Sequence, residues 1–286
     1  MYGCKVYKLA MSSGCSCPNR DGTIGDQGCI FCDGAGAFAE AGSIPQQLAA
    51  AKERVAAKVS EDARYIAYFQ SFTNTHGPVE RLRELYTAAM APEEVVALSI
   101  ATRPDCLQPE IMALLTELNA VKPVWVELGL QTIHPESAEY IRRGYDLPVY
   151  DAAVRQLKAA GITVVVHQIL GLPGETREMM VQTTRYIGQS GADGIKFHLL
   201  HVLRGTDLAE EWMAGKITLQ EMEEYIAVLE DCVRNIPREM VIHRLTGDGA
   251  KRDLLAPLWS GNKKLVLNAI HRAFWRDDVE QGSALQ

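Results

Sequence analysis

The sequence alternates short apolar segments, which are typical of β-strands, with amphipathic segments, which are typical of helices. The seven predicted strands are residues 5–10, 64–70, 95–101, 124–130, 162–170, 194–203 and 239–245. The predicted helices between them are residues 44–59, 78–90, 109–118, 151–161, 176–191 and 219–236. Apolar strands joined by amphipathic helices indicate a parallel sheet covered by helices. Two architectures fit this alternation, an open doubly wound sheet and a (β/α) barrel or partial barrel.

Composition limits the class of protein. With 286 residues, 47% of them hydrophobic and 23% charged, the chain is typical of one large globular domain. Its formal net charge of −7 disfavours a generally basic surface, so any RNA contact would use local patches. The longest apolar runs are only strand-sized, and the sequence opens without a secretory leader. We therefore expect a cytoplasmic location and no membrane partner.

Four of the seven cysteines lie in one glycine-rich segment, residues 14–34, which reads GCSCPNRDGTIGDQGCIFCDG. In a reducing compartment, clustered thiols indicate metal ligands rather than disulfides. The spacing is C-x-C followed by C-x2-C, and it leaves two kinds of site open. Four thiolates would close a tetrahedral zinc site, whereas three would hold an iron-sulfur cluster that keeps one iron for another ligand.

Polar residues follow the predicted strands at the points where the strands end. The segments are YFQSFTNTH, ATRPD, ELGLQT, HQILGLPGET, KFHLLH and HRLTGD. Because the carboxyl ends of parallel strands meet at one edge of a sheet, we expect these segments to form one pocket beside the cysteine loop. His198 and His201 point to opposite faces of a regular strand, so at most one of them is expected in the pocket. Glu127 lies inside an apolar strand and needs a partner, such as Arg103.

Taken together, these motifs resemble the YtqA/YhcC-like branch of the radical S-adenosylmethionine (SAM) enzymes, which is itself similar to the radical domain of the Elongator catalytic subunit. The resemblance rests on CPNRDGT, GCIFC, YFQSFTNT, SIATRPDCL, VELGLQT, ILGLPGE, GIKFHLLHVLRGT and RLTGD, and extends from about Lys5 to about Asn268. It implies an α/β fold, a partial (β/α)6 TIM-like barrel over residues 1–245 with the cluster loop at 14–34. A C-terminal helical extension, residues 246–286, would pack on the same domain.

The resemblance implies two cofactors. A 4Fe-4S cluster would be held by Cys17, Cys29 and Cys32, and its fourth iron would bind the amino and carboxylate groups of SAM. Phe31, between the last two cysteines, would meet the adenine. The other implied SAM contacts are Gln70, Ser71, Thr73 and Asn74 for the methionine amino group, Thr102, Arg103 and Asp105 for the carboxylate and ribose, Glu127 and Gln131 for the ribose hydroxyls, and Gln168, Leu170 and Gly171 for the adenine. The polar candidates for the substrate side are His198, His201, Arg244 and Asp248.

The resemblance also implies a reaction, in which SAM is cleaved to a 5′-deoxyadenosyl radical that removes a hydrogen atom from a substrate. Some members of the family are linked to the wobble uridine of tRNA, where a carboxymethylaminomethyl group is shortened to aminomethyl, and Arg244 would pair with the carboxylate. The expected partners are tRNA and an electron donor such as flavodoxin or ferredoxin. Two alternatives remain: radical modification of a small metabolite or peptide and, from another class, a non-catalytic zinc-stapled α/β binding protein.

Overall fold

A seven-stranded sheet forms the centre of the fold. In this computed structural model, which describes residues 3–34, 42–60, 62–247 and 252–285, its strands are β1 (Val6–Met11), β2 (Arg64–Phe69), β3 (Val95–Thr102), β4 (Val124–Gln131), β5 (Thr163–Leu170), β6 (Gly194–Leu199) and β8 (Val241–Arg244). Their order in the sheet is β1-β2-β3-β4-β5-β6-β8, and the pairings that the structure describes are parallel. Two short strands, β7 (Val202–Leu203) and β9 (Leu254–Ala256), pair antiparallel in a separate sheet.

Helices connect successive strands of the sheet, and a last helix follows β9. In chain order they are α1 (Ile44–Val55), α2 (Val79–Met90), α3 (Pro109–Asn119), α4 (Pro135–Tyr140), α5 (Leu147–Ala159), α6 (Arg177–Gln189), α7 (Asp207–Met213), α8 (Met222–Arg234) and α9 (Lys263–Arg276). Side chains cap α6, α7 and α9. The Thr176 side chain accepts a hydrogen bond from the Met179 N–H at the start of α6, and the Asn262 side chain accepts one from the Leu265 N–H at the start of α9. These caps satisfy N–H groups that the first helical turn leaves free.

The chain divides into two compact units. The first comprises Met1–Asp26, Gly34–Gly129 and Pro148–Val164, and the second comprises Gln27–Asp33, Leu130–Leu147 and Val165–Gln286. The boundary that the sequence suggests between residues 245 and 246 stays a prediction. Within the described residues, no helix combines the length and the hydrophobicity needed to cross a membrane.

The core of the first unit is built from the apolar side chains of β1, β2 and β3. Met11, Phe69 and Ile100 are fully buried, and the Phe69 ring meets the Tyr86 ring of α2 edge to face, with centroids 5.1 Å apart. β1 and β2 pair in register up to Met11 opposite Phe69. The cysteine loop and the polar segment after β2 therefore start side by side.

The core of the second unit includes β5, β6 and a set of apolar side chains around Ile30 of the cysteine loop. Ile195 and Phe197 of β6 are fully buried. The set around Ile30, called here the Ile30 cluster, consists of Ile30, Ile141, Ile169, Leu172, Leu200, Val202, Leu208, Ala209 and Ala256. Because such packing is dense and specific, the Ile30 cluster fixes the second half of the cysteine loop against β5 and the segment after β6.

The structure confirms the predicted alternation of strands and helices and the parallel pairing. Two strands are clearly shorter than predicted. β8 covers only Val241–Arg244, and β6 ends at Leu199 rather than at residue 203, because residues 202–203 pair with β9 in the second sheet. The sequence analysis did not predict α4 and α7, which have 6 and 7 residues. Helices of this length are too short to show a helical period of apolar residues.

Candidate active site

The cysteine loop carries free thiols. Cys17, Cys29 and Cys32 are partly buried and Cys15 is buried, and none of the four is in a disulfide. In the first unit, the carbonyl oxygen of Cys17 accepts hydrogen bonds from the N–H groups of Arg20 and Asp21, at 2.7 and 3.1 Å. The loop therefore turns sharply just after its first predicted cluster ligand.

In the second unit, the turn that carries Cys29 and Cys32 is anchored on both sides. The N–H of Cys32 donates to the carbonyl of Cys29 at 2.9 Å, which closes the turn. Between them, the Ile30 N–H donates to the Ile141 carbonyl at 3.3 Å, and the Ile30 carbonyl accepts from the Leu208 N–H at 3.0 Å. Ile30 itself is 4% exposed. The backbone of this turn is thus held by the end of α4 and the start of α7.

An ion pair links the same two helices next to the turn. The guanidinium of Arg142, which directly follows Ile141, lies 2.5 Å from a carboxylate oxygen of Asp207. The Cys29 Sγ lies 3.8 Å from the Arg142 carbonyl oxygen. Arg142 has a left-handed backbone with φ 55°, an uncommon conformation for a residue other than glycine. This strained position brings its carbonyl towards Cys29.

The donor chemistry of the loop fits an iron-sulfur cluster, since soft thiolates are the ligands that such clusters use. Cys15 has different surroundings: its Sγ lies 4.0 Å from the Asn74 carbonyl oxygen and would be 3.5 Å from a Cβ at Gly77. Across residues 3–34, 42–60, 62–247 and 252–285, no three His, Cys, Asp or Glu side chains are grouped so as to hold a metal ion. The assignment of Cys17, Cys29 and Cys32 therefore rests on donor chemistry and on the family pattern.

Asn74 organises the segment after β2. Its side chain is fully buried, and its Nδ2 donates to the carbonyl oxygens of Phe69 at 3.1 Å and Ala101 at 2.8 Å. Its Oδ1 accepts a hydrogen bond from the Ser13 hydroxyl at 2.7 Å. Both amide donors of Asn74 are therefore used to join the ends of β2 and β3 to the start of the cysteine loop.

The other residues predicted after β2 lie in the same segment. Thr73 is 1% exposed, and its N–H donates to the Ser16 carbonyl at 3.2 Å. Ser71 is 9% exposed and Gln70 is partly exposed. Phe72, between Ser71 and Thr73, has a positive φ of 62°. The structure thus ties this segment to the residue that separates Cys15 from Cys17.

The residues predicted after β3 pair with one another. The Arg103 guanidinium contacts the Asp105 carboxylate through two hydrogen bonds, Nε to Oδ1 at 2.9 Å and Nη2 to Oδ2 at 2.8 Å. The Thr102 hydroxyl lies 2.5 Å from the Thr75 hydroxyl. Burial, with a smaller contribution from the Asp105 carboxylate, raises the pKa of Cys106 to about 12. Cys106 is therefore a protonated, packed thiol.

Glu127 of β4 is fully buried, and its charge is compensated. Its Oε1 accepts hydrogen bonds from the Lys8 ammonium at 2.7 Å and from the Ser99 hydroxyl at 2.8 Å, and its Oε2 accepts one from the Tyr68 hydroxyl at 2.9 Å. The sequence analysis suggested Arg103 as the structural partner. The structure supplies a partner cation from β1 instead, while Arg103 is engaged with Asp105.

Gln168 of β5 bonds to a helix. Its Nε2 donates to the Met180 carbonyl at 2.7 Å, and its Oε1 accepts from the Thr184 hydroxyl at 2.8 Å, both in α6. Successive residues of a strand face opposite sides of the sheet. Gln168 and Leu170 therefore share the helix-facing side of β5, and His167 and Ile169 share the other. The alternation of faces along a strand was the sequence signal that separates these two pairs of residues.

On that other side, the second unit contains a cavity of about 240 Å³. Its walls come from the cysteine turn, the end of β4, β5 and the segment from β6 to β7: Phe31, Gln131, His167, Ile169, His198, Leu199, Leu200, His201 and Leu203. Gln131 ends β4 with a positive φ of 70°. Gly171, which follows β5, is not among the lining residues; its φ is 88°, and a Cβ there would lie 2.9 Å from the Gln220 Oε1.

Three histidines line this cavity, whereas the sequence analysis predicted at most one of His198 and His201. That prediction was wrong because β6 ends at Leu199, so the alternation of faces does not continue to His201. His167 was not predicted as a site residue. Its ring lies beside that of His198, with centroids 4.8 Å apart and planes tilted by 39°. The sequence did contain a signal for His167, because it is a polar residue in an otherwise apolar strand, two positions before Ile169.

The remaining substrate-side candidates are Arg244 and Asp248. Arg244 is the last residue of β8, in register opposite Lys196 of β6, and is not among the residues that line the cavity. Gly247 lies against His201, because a Cβ at Gly247 would be 2.4 Å from the His201 Cε1. Asp248, which follows, is outside the described residues.

These motifs and this fold define the class of protein: the chain belongs to the radical SAM superfamily. Its sequence matches that superfamily over residues 17–187 and the Radical_SAM C-terminal domain over residues 192–276. Enzymes of this superfamily use a 4Fe-4S cluster and SAM and require a reductant. The family pattern therefore selects the iron-sulfur cluster over the zinc site that the cysteine spacing also allowed.

Similar proteins narrow the relationship further. The chain is 42% identical over 288 residues to the uncharacterized protein YtqA of Bacillus subtilis, covering 100% of this chain and 89% of the relative. It is 38% identical over 285 residues to protein YhcC of Escherichia coli K12, covering 99% and 92%. A shorter match, 33% identical over 162 residues, is to the tRNA uridine(34) acetyltransferase of Methanocaldococcus jannaschii and covers 55% of this chain but only 29% of that protein.

Solved structures confirm the fold class. The chain superposes on Elp3 of Methanocaldococcus infernus, a form with residues 1–46 deleted, with a TM-score of 0.74 and 19% identity, covering 96% of this chain and 64% of that chain. Methylornithine synthase (PylB) gives a TM-score of 0.52 with 13% identity, covering 96% and 83%. At these identities the likeness concerns the fold, which is the predicted α/β partial barrel of the radical SAM type.

Proposed function

We propose that this protein is a tRNA-modifying radical SAM enzyme that converts carboxymethylaminomethyluridine to aminomethyluridine at the wobble position. The observation that carries the proposal is the 162-residue likeness to a protein named for its action on uridine 34 of tRNA. Since a fold or family alone does not fix a substrate, the assignment also depends on whether the site suits this base.

The proposed cofactor assignments follow the family motifs. Cys17, Cys29 and Cys32 hold the cluster, and the segments after β2, β3, β4 and β5 contact SAM. When bound, the cluster and SAM would supply one-electron chemistry that generates a hydrogen-abstracting 5′-deoxyadenosyl radical. An electron donor of the flavodoxin or ferredoxin class would reduce the cluster initially.

The proposed reaction balances in atoms and electrons. The glycine-derived methylene loses a hydrogen atom to the 5′-deoxyadenosyl radical, and the carbon radical then loses one electron and the amine proton. The resulting imine adds water, and the C–N bond breaks to release aminomethyluridine and glyoxylate. Overall the substrate loses two electrons and SAM gains two. The protein must hold this methylene in reach and limit the access of water before hydrogen abstraction.

The cavity supports this proposal. Phe31 lines it and lies between Cys29 and Cys32 in the chain, so a substrate group in the cavity lies beside the cysteine turn. His198 is the substrate-side candidate that lines the cavity. Arg244 and Asp248 stay proposals that rest on their position at and after β8.

A second candidate function is radical modification of a small metabolite or peptide. It is favoured by the formal net charge of −7, because polyanionic RNA is repelled by an acidic protein unless local basic patches compensate. The two functions differ in whether tRNA is required.

Nucleoside analysis of tRNA from cells that lack the protein tests the proposed function. We expect carboxymethylaminomethyluridine to accumulate at the expense of aminomethyluridine. The wild-type gene is expected to restore the pattern, whereas a Cys29→Ala gene is expected not to. An unchanged nucleoside profile in the deletion strain would reject the tRNA assignment in favour of the small-molecule alternative.

A further inference from the structure

We propose that the cavity lined by His167, His198 and His201 binds the carboxylate of the substrate. This inference rests on the proposed function, since carboxymethylaminomethyluridine differs from its product by that carboxymethyl group. It assigns to the three imidazoles the role that the sequence analysis gave to Arg244.

The chemistry of the lining favours an anion. Three of the nine lining residues are histidines, one is glutamine, and the others are aliphatic or aromatic, so none is acidic. A carboxylate only accepts hydrogen bonds, whereas imidazole and amide N–H groups donate them. In the described parts of the chain these histidines are not grouped as ligands of a metal ion. A hydrogen-bonded anion is therefore the ligand that suits this lining.

The sheet adds a basic side chain on the same side. Lys196 of β6 lies in register opposite His167 of β5, and His198 lies opposite Ile169. Residues opposite each other in a parallel pair, and residues two apart in a strand, share a face of the sheet. Lys196 is 4% exposed. Lys196 therefore adds a further hydrogen-bond donor to the face that carries His167 and His198.

The histidines are held in place before a ligand binds. His167 and His198 stand on adjacent paired strands with their rings 4.8 Å apart. His201 packs against Gly247, where a Cβ would come within 2.4 Å of its ring. Donors fixed in this way cost little entropy when they bind a ligand.

The position and size of the cavity suit one end of a modified base. Ile169 and Leu200 line the cavity and also belong to the Ile30 cluster, so the cavity wall and the cysteine turn are packed as one body. The volume of about 240 Å³ lies below the range of about 300–1,000 Å³ that is typical for drug-sized ligands. It fits a substituent such as a carboxymethyl group with its amine rather than an extended stretch of RNA.

Equilibrium binding of two nucleosides tests the inference. The anaerobic holoenzyme with SAM is titrated by calorimetry with carboxymethylaminomethyluridine and with aminomethyluridine, neither of which carries a phosphate. Wild-type protein is expected to bind the carboxylated nucleoside at least about tenfold more tightly, as hydrogen bonds to a charged group allow. His167→Gln and His198→Gln are each expected to reduce that ratio several-fold, with cluster iron and SAM affinity unchanged. His271→Gln, at an exposed position of α9, is the matched control and keeps the ratio.

A second pair of variants protects the test against misfolding. Leu203→Glu places a carboxylate at the cavity, and Leu203→Gln is its neutral match. Leu203 is partly exposed, so both side chains are tolerated more easily than at a buried wall position. We expect Leu203→Glu, but not Leu203→Gln, to lower the preference for the carboxylated nucleoside by charge repulsion.

The outcomes separate this inference from the proposed function. If tRNA nucleosides change in the deletion strain but the histidine variants keep the wild-type preference, the inference alone is overturned. If Arg244→Ala loses the preference for the carboxylated nucleoside while both histidine variants keep it, Arg244 rather than the cavity binds the carboxylate. Loss of SAM affinity in the histidine variants would assign the cavity to the cofactor. A wild-type protein without any preference for the carboxylated nucleoside would also overturn the inference, whatever the deletion strain shows.

Discussion

Lys8 of β1 and Glu127 of β4 form an ion pair with 2.7 Å between Nζ and Oε1. Glu127 is completely buried, whereas the Lys8 side chain is 27% exposed. The Lys8 ammonium also lies 4.7 Å from the centroid of the Tyr68 ring and 5.3 Å from that of Trp125. A buried carboxylate is tolerated only with such compensation, so this network allows an acidic residue inside an apolar strand.

Removal of the Glu127 carboxylate should destabilise the protein. We expect Glu127→Ala to lower the free energy of unfolding by about 3–5 kcal/mol, because Lys8, Ser99 and Tyr68 lose a buried partner. Urea denaturation followed by circular dichroism measures this. The control is Glu117→Ala, which breaks an exposed ion pair with Arg83 and should cost at most about 1 kcal/mol. Equal losses in the two variants would argue against a buried network.

The cluster ligands should be separable from Cys15. Anaerobically reconstituted wild-type protein is expected to contain about four irons and four sulfides, and alanine at Cys17, Cys29 or Cys32 should remove them, because a second iron is then left without a ligand. Cys15→Ala, at a packed position, should keep the cluster. Iron and sulfide analysis together with visible absorption measures the cluster content of each variant. Stoichiometric zinc in place of iron would contradict the assignment.

Two variants in the segment after β2 should weaken SAM binding while the cluster is retained. Gln70→Ala is expected to cost on the order of 1–3 kcal/mol of binding free energy, as for a lost hydrogen bond to a charged group. Asn74→Ala is expected to weaken binding indirectly, because its buried side chain holds the segment after β2 in place. Asn74→Ala should also destabilise the fold, since its amide joins the ends of β2 and β3. Calorimetry with SAM and thermal unfolding distinguish the two effects. Unchanged affinity in both variants would remove this segment from the SAM site.

The buried carboxyl of Glu175 should make stability depend on pH. Burial raises its pKa above the usual value of 4.5, and hydrogen bonds from Thr132 and Ser137 offset only part of this shift. The folded state therefore holds this proton more tightly than the unfolded state, so the contribution is complete below pH 4.5 and is lost as the pH rises through the folded pKa.

The variant Glu175→Gln cannot titrate at this position. Its stability relative to wild type should therefore increase from pH 4.5 to pH 7. Urea denaturation at several pH values measures the difference. A constant difference over this range would show that the carboxyl does not titrate differently in the two states.

Isotope transfer tests the proposed hydrogen abstraction. With dithionite and SAM, tRNA that carries carboxymethylaminomethyluridine should speed the formation of 5′-deoxyadenosine and be converted to the aminomethyl form. Deuterium in the glycine-derived methylene should appear in the 5′-deoxyadenosine, because that carbon is the proposed donor. Mass spectrometry of the nucleoside follows the label, and tRNA that already carries aminomethyluridine is the control. Absence of the label from 5′-deoxyadenosine would exclude this carbon.

The sequence by itself determined the architecture and the cofactor class. The near-continuous apolar strands and the amphipathic helices between them predicted a parallel α/β sheet, and the polar segments after the strands predicted a pocket at one edge of it. These are local patterns, set by which side chains of each element must be buried. The spacing of Cys17, Cys29 and Cys32 likewise depends only on the covalent chain, so it could be matched to the radical SAM family without coordinates.

The tertiary structure decided which polar residues meet. Lys8 and Glu127 are 119 residues apart, and no local pattern connects them. The end of β6 at Leu199 depends on the pairing of β7 with β9, which is a long-range contact, and it brings His201 to the same cavity as His167 and His198. Gln168 turns to α6 while its neighbours line the cavity, because the choice of face is made by packing against a distant helix. Partners that are far apart in the chain are selected by burial and hydrogen bonding in three dimensions, and that selection is absent from the sequence pattern.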